Sequence, residues 1–196
     1  MPIRVIKVGG SLFDLPDLGN RIRDWIDRQP TAYNLLVAGG GKLVEEVRAQ
    51  HIQEPIDELT AHWRCIDLMT ETARMLANVL PGIEILDSLP ETELTTRQCT
   101  AIFTPARWLR ETEPQLPGTH LCASWDVTSD SLSARLAITC DADELVLLKS
   151  ATPPSNDLQQ LADAGYVDRF LAMLENELPL MRFINLKRTS LDQSRL

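Results

Sequence analysis

Ile3-Arg4-Val5-Ile6-Lys7-Val8-Gly9-Gly10-Ser11 is a short apolar run carrying one lysine and followed at once by a glycine pair. A buried parallel strand reads as such a near-continuous run of Val and Ile. The two glycines allow a tight turn and let bare backbone N–H groups approach a ligand. Such N–H groups, with those of a following helix N-terminus, favour anions. The design recurs at Leu35-Leu36-Val37-Ala38-Gly39-Gly40-Gly41-Lys42. Two strands that each end in a glycine loop point to a crevice built to hold phosphate.

Working outward, hydropathy patterning predicts strands at Arg4 to Val8, Asn34 to Ala38, Ile83 to Leu86, Leu145 to Lys149 and Met181 to Leu186, with a shorter one at Ala101 to Phe103. Helices are expected over Pro16 to Gln29, Gly41 to His51, Thr128 to Thr139, Asp157 to Ala164 and Val167 to Glu177. Asp57 to Leu80 reads as one long helix, broken at most once and stopped by Pro81-Gly82. A helical turn is expected at Pro105 to Leu109, but Ser88 to Pro117 is otherwise poorly signalled. Strands alternating with helices imply βαβ units and a largely parallel sheet covered on both faces, a three-layer α/β/α sandwich. Ligands in such sheets sit outside the carboxyl ends of the strands, where both glycine loops and Lys149 fall.

Composition narrows the function. At 196 residues and 44 % hydrophobic content, one α/β domain spanning 1–196 is expected. A formal charge of −9 argues against nucleic-acid partners, which need a basic face. The four cysteines, Cys65, Cys99, Cys122 and Cys140, show no metal or C-x-x-C spacing and read as reduced thiols. With no apolar run of membrane length and no leader-like start, a cytoplasmic protein without membrane contact is expected. No G-x-G-x-x-G follows either strand, and G-x-x-x-x-G-K-[ST] is missing, which disfavours a dinucleotide dehydrogenase and a P-loop NTPase.

Three segments in this order, Ile6-Lys7-Val8-Gly9-Gly10-Ser11-Leu12, Val37-Ala38-Gly39-Gly40-Gly41 and Thr128-Ser129-Asp130-Ser131-Leu132-Ser133-Ala134-Arg135-Leu136-Ala137, resemble the amino acid kinase family. That group includes acetylglutamate, aspartate, carbamate and uridylate kinases. The resemblance implies the family's carbamate kinase-like fold, ATP as phosphoryl donor, Mg2+ bound through the nucleotide phosphates, and a homodimer or higher homo-oligomer formed through the long helix. It implies catalytic roles for Lys7 and Asp130, the aspartate holding lysine side chains in place. Gly9, Gly10, Ser11 and Lys149 would face the nucleotide, and Gly39, Gly40, Gly41, Thr128 and Ser129 the substrate. The chain departs from the family where a second glycine-lysine motif usually follows the nucleotide strand. Thr152 to Asp157 has neither residue, so the nucleotide side is shortened, and Lys149 is the candidate replacement.

Each residue has a plainer reading beside the functional one. Lys7 stabilises charge on a moving phosphoryl group, or it snorkels from an edge strand. Asp130 is a first-turn helix acid as well as a candidate for the site. Lys149 reaches nucleotide phosphates or lies on the surface, and Lys42 reads as a simple exposed lysine. The segment Ser124-Trp125-Asp126-Val127-Thr128-Ser129-Asp130-Ser131 looks closest to the family branch that phosphorylates an aminomethyl-furanmethanol phosphate in methanofuran biosynthesis. There Trp125 would stack on a flat ring and Asp126 would pair with an amine; alternatively Trp125 is core and Asp126 caps a turn. His51, His62 and His120 lack ligand spacing, and no protein-held metal is expected. The expected activity is transfer of the ATP γ-phosphoryl group to a small acceptor. The alternatives are a related kinase acting on a carboxylate, carbamate or phosphate, and a non-catalytic nucleotide or phosphate sensor.

Overall fold

The computed structural model describes residues 1–89, 99–188 and 193–195. Part of the poorly signalled stretch Ser88 to Pro117 therefore lies outside the described residues. The strands are β1 (Ile3–Val8), β2 (Tyr33–Ala38), β3 (Glu84–Leu86), β4 (Thr100–Phe103), β5 (Glu144–Lys149), β6 (Leu180–Asn185) and β7 (Gln193–Arg195). They form one sheet in the order β3-β4-β2-β1-β5-β6-β7. The first six strands are parallel, and β7 pairs antiparallel with β6. The helices are α1 (Leu18–Asp27), α2 (Gly41–Gln53), α3 (Glu58–Val79), α4 (Pro105–Glu111), α5 (Ser129–Thr139), α6 (Leu158–Asp163) and α7 (Arg169–Met173).

All six residues of β1 and of β2 are buried, as expected of strands covered on both faces. Period-2 alternation divides the core into two layers. Val5, Leu35, Val37, Leu145 and Leu147 face a layer closed by Leu132 and Leu136 of α5 and by Ile66 and Met69 of α3. Ile6, Val8, Leu36, Val146 and Leu148 face the other, closed by Leu18, Ile22 and Trp25 of α1 and by Ala73 and Leu76 of α3. Arg4, a charge inside a buried strand, is accommodated by pairing. Its Nε and the Nε of Arg182 each lie 2.5 Å from a Glu144 oxygen, and both guanidinium groups flank the Trp25 ring.

Local chemistry explains most boundaries. Asp57 accepts a hydrogen bond from the Thr60 amide at 2.9 Å, which starts α3; such a cap is worth about 1 kcal/mol. The helix then runs 22 residues without a break and ends before Pro81-Gly82. Ile66, Met69, Ala73 and Leu76 are buried as its spacing predicts, whereas Val79 is 42 % exposed, with Leu59 and Met75 also exposed. The pattern over Val167 to Glu177 is not one helix. Asp168 caps α7 through the Leu171 amide, and the Glu177 amide closes a 3-10 turn on the Leu174 carbonyl. The first helix opens at Leu18 rather than Pro16; Asp17 precedes it without capping it by its side chain, the carboxylate being taken by Arg21 Nε at 2.9 Å. Among the described residues no helix is long and apolar enough to cross a membrane.

Candidate active site

β1, β2 and β5 end level with one another: Val8 pairs with Ala38 on one side and with Leu148 on the other. Their exits form one rim beside a cleft of about 780 Å³. The glycine loops do not share one role. The Gly9 amide donates to the Leu148 carbonyl and the Gly39 amide to the Val8 carbonyl, both at 2.8 Å. Those two N–H groups extend the sheet ladder, which corrects the expectation that the Gly9 amide serves a phosphate. Gly10 and Ser11 instead open a 3-10 turn over Gly10–Asp14, where the first amides have no intrahelical acceptor. Gly40 and Gly41 open α2, whose N-terminus has no side-chain cap.

The two loops touch through their backbones. A Cβ on Gly10 would lie within 2.5 Å of the Gly41 Cα and meet the Gly41 nitrogen. Gly41 itself has a φ of +56°, in the left-handed region.

Lys7 lies on the β1 face that looks toward α5, and there it meets Asp130. Lys7 Nζ sits 2.7 Å from Asp130 Oδ1, and Lys149 Nζ donates to Asp130 Oδ2 at 2.6 Å. Lys149 Nζ also donates to the Tyr166 carbonyl and lies 4.8 Å from the centre of the Tyr166 ring. The aspartate is 4 % exposed and Lys7 6 %, and β1 is a central strand, so Lys7 does not snorkel from an edge strand. Lys149 is not a surface lysine. Burial pushes the Asp130 carboxyl up, but the charges and hydrogen bonds of the two lysines prevail and hold it at about 2. Burial, with the nearby Lys7 charge, lowers the Lys149 ammonium below its ordinary range, against the opposing pull of Asp130 and Asp168. One buried carboxylate thus fixes two ammonium groups, one from each of two adjacent strands.

The opposite wall holds the Ser124 to Ser129 segment. Trp125 is half-buried, with the Arg48 guanidinium 5.7 Å from its ring centre and the His51 ring 5.2 Å away, both from α2. Glu58 of α3 accepts the Trp125 amide at 3.2 Å. Trp125 is therefore cleft wall, not central core. Asp126 is exposed, and the turn there is capped by Ser124 Oγ, which accepts the Asp126 amide at 3.1 Å. Half-buried His62 also lines the wall, burial lowering its imidazole pKa. Thr128 Oγ1 accepts the Asp130 amide at 3.3 Å and caps α5.

Lys7, Gly10, Ser11, Gly40, Gly41, Trp125, Asp126, Thr128, Ser129, Asp130 and Lys149 all line this one cleft. Gly9 and Gly39 stand just behind it. Lys42 is exposed and paired with Asp14 at 2.6 Å. Three contributors had no sequence signal of their own. Arg48 and His51 lie on an ordinary polar helix face, and Asp168 reads only as a cap. Among the described residues no group of three or more His, Cys, Asp or Glu side chains is placed to hold a metal ion.

No family model matches the chain, and no curated protein matches its sequence. Solved structures do match. A uridylate kinase from Archaeoglobus fulgidus superposes with a TM-score of 0.58 at 18 % identity, over 92 % of this chain and 89 % of that one. A UMP kinase from Ureaplasma parvum gives 0.57 at 14 % identity, over 97 % and 92 %. An aspartate kinase from Synechocystis gives 0.56 at 13 % identity, over 93 % of this chain but 38 % of that one. The chain has the amino acid kinase fold, an α/β architecture built on a parallel sheet.

Proposed function

We propose that the chain is an amino acid kinase-type phosphotransferase that moves the γ-phosphoryl group of ATP to a small, already ionised acceptor. The observation that carries this reading is the Lys7–Asp130–Lys149 cluster at the mouth of two anion-type loops. Phosphoryl transfer needs positioned charge more than covalent chemistry. An acceptor oxygen attacks the γ-phosphorus, the bond to the β–γ bridging oxygen breaks, and ADP leaves with the electron pair. Lys7 and Lys149 stabilise the charge on the equatorial and bridging oxygens, and the amides of Gly10, Ser11 and the α2 N-terminus add fixed dipoles. Lys149 replaces the second lysine missing after the nucleotide strand. Mg2+ would be held through the nucleotide's phosphate oxygens and water, since no cluster of three or more His, Cys, Asp or Glu side chains among the described residues is placed to hold it, and would offset charge on the phosphates.

Asp130, held near 2 and engaged by two ammonium groups, is a poor general base. An alcohol acceptor would need one. A phosphate monoester, whose second ionisation falls at about 6, needs none. This supports an ionised acceptor, a carboxylate or carbamate as well as a phosphate; among these the resemblance of the Ser124 to Ser131 segment favours an aminomethyl-furanmethanol phosphate, converted to a diphosphate in methanofuran-type cofactor biosynthesis. Trp125 would cover the ring and Asp126 the amine. Self-association through α3, whose Leu59, Met75 and Val79 are exposed, belongs to the same proposal.

Calorimetry with a nonhydrolysable ATP analogue should give saturable, magnesium-dependent binding. ADP release should then depend on the furan phosphate, and Lys7→Ala should lower kcat about a hundredfold. No nucleotide binding at millimolar ligand refutes the kinase reading. Binding without transfer to phosphate, carboxylate or carbamate acceptors turns the chain into a sensor, and transfer to a carboxylate alone removes the furan assignment.

A further inference from the structure

We propose that Asp168 is a positioning residue for phosphoryl transfer, holding the first turn of α5 so that Asp130 meets both lysines. The inference rests on the kinase reading for its meaning and on geometry for its support. Asp168 Oδ2 accepts the Thr128 amide at 3.0 Å, the Thr128 hydroxyl at 2.6 Å and the Ser131 amide at 3.0 Å. Its Oδ1 accepts the Ser131 hydroxyl and, at 2.9 Å, the Leu171 amide. One carboxylate therefore caps two helices, α5 and α7.

The residues it grips, Thr128 and Ser131, bracket Asp130 in sequence. Thr128 Oγ1 donates to Asp168 while accepting the Asp130 amide, so backbone and side chain around Asp130 are tied to Asp168 through one hydroxyl. Among the described residues the other aspartates that cap with their side chains each serve a single helix. Asp57 takes the Thr60 amide and Asp157 the Gln160 amide. An ordinary cap for α5 is already present in Thr128. The additional grip acts at the one helix start whose second residue must face two ammonium groups. Asp168 also lends negative charge to the surroundings of Lys149, together with Asp130 from α5 and opposite Lys7 from β1, with Tyr166 packed on the ammonium.

The test compares Asp168→Asn with Asp157→Asn, a cap change away from the lysines. Thermal melts should fall for both. Only Asp168→Asn should lower kcat, by about a hundredfold as for a misplaced reacting group, with the KM for ATP little changed. Ser131→Ala removes one donor to the same carboxylate, leaves the α7 cap and should lower kcat more mildly; it serves if Asp168→Asn does not fold. A second readout needs no turnover. In protein carrying 13C-labelled lysine, the Lys149 titration should move to lower pH in Asp168→Asn, with Lys42 and Lys187 as internal controls. Equal kcat in the Asp168 and Asp157 variants, or an unmoved Lys149 titration, overturns the inference. A wild-type chain that transfers no phosphoryl group overturns the kinase reading alone, and the lysine titration then decides the role of Asp168.

Discussion

Replacing Asp130 by Asn should cost stability in a way that depends on pH. The side chain keeps its shape, but two ammonium groups lose their shared counter-ion in a site where the carboxylate is 4 % exposed. The carboxyl is held at about 2 against an ordinary 3.8, and at about 1.4 kcal/mol per unit this linkage alone is worth about 2 kcal/mol at neutral pH. Stranding the partners of a buried ion pair costs more, about 3–5 kcal/mol, and that is the loss expected near pH 7. Because the folded-state pKa of Asp130 is depressed, the wild type should keep its contribution above about 3.8 and lose it as pH falls toward about 2. In the variant Lys149 carries the dependence instead. With the opposing pull of Asp130 gone, burial lowers its folded-state pKa further, the unfolded chain binds more protons above that value, and stability rises with pH by up to about 1.4 kcal/mol per unit. Lys149 gives the wild type a shallower version of the same slope. Urea unfolding at about pH 6, 7.5 and 9 measures both effects. A loss below about 1 kcal/mol at neutral pH, with parallel pH profiles for the two proteins, would refute the account of Asp130 as a buried clamp.

Gly10→Ala should lower stability by about 1–3 kcal/mol and weaken nucleotide binding, since its Cβ meets the Gly41 backbone; an unchanged melt and calorimetric titration would show that the loops separate freely. Trp125→Ala should raise the acceptor KM by roughly fivefold, about 1 kcal/mol of lost stacking, and spare that of ATP. Asp126→Asn should penalise amine-bearing acceptors only, and equal effects on an acceptor lacking the amine would remove its assigned role. Exposed Cys122 should react readily with a thiol reagent, whereas half-buried Cys140, its thiol pushed up to about 12 by desolvation, should react far more slowly until the chain unfolds.

The positions of the main strands along the chain and of the two glycine loops were legible because they rest on local pattern, whereas the order of the strands in the sheet was not, and Asp130 was singled out through the family resemblance. An apolar run ending in glycine declares a buried strand and its exit, and a Thr-Ser-Asp run before an apolar helix declares its cap. What escaped depends on contacts between distant segments. Lys149 reads equally well as a surface residue until β5 is placed beside β1 and Tyr166 is folded over its ammonium. The 3-10 ending after α7 follows from where Asp168 and Leu174 find their partners, which periodicity does not carry. The grip of Asp168 on α5 spans 40 residues of chain, and no spacing rule reaches that far. The Gly9 and Gly10 amides look alike in sequence. Only register shows that the first is taken by Leu148.

The Gly10–Gly41 approach separates two properties that side chains usually set together. The gap between the loops is a backbone-to-backbone distance, so it is indifferent to what Arg48, His62, Trp125 or Asp126 become. Substitutions along the cleft wall can retune which molecule is admitted without altering the span between the two anchoring loops. Under the kinase reading, the spacing of the two loops is thus set by main-chain atoms while the cleft wall is built from replaceable side chains, and a library restricted to the wall residues would explore new acceptors with that spacing unmoved.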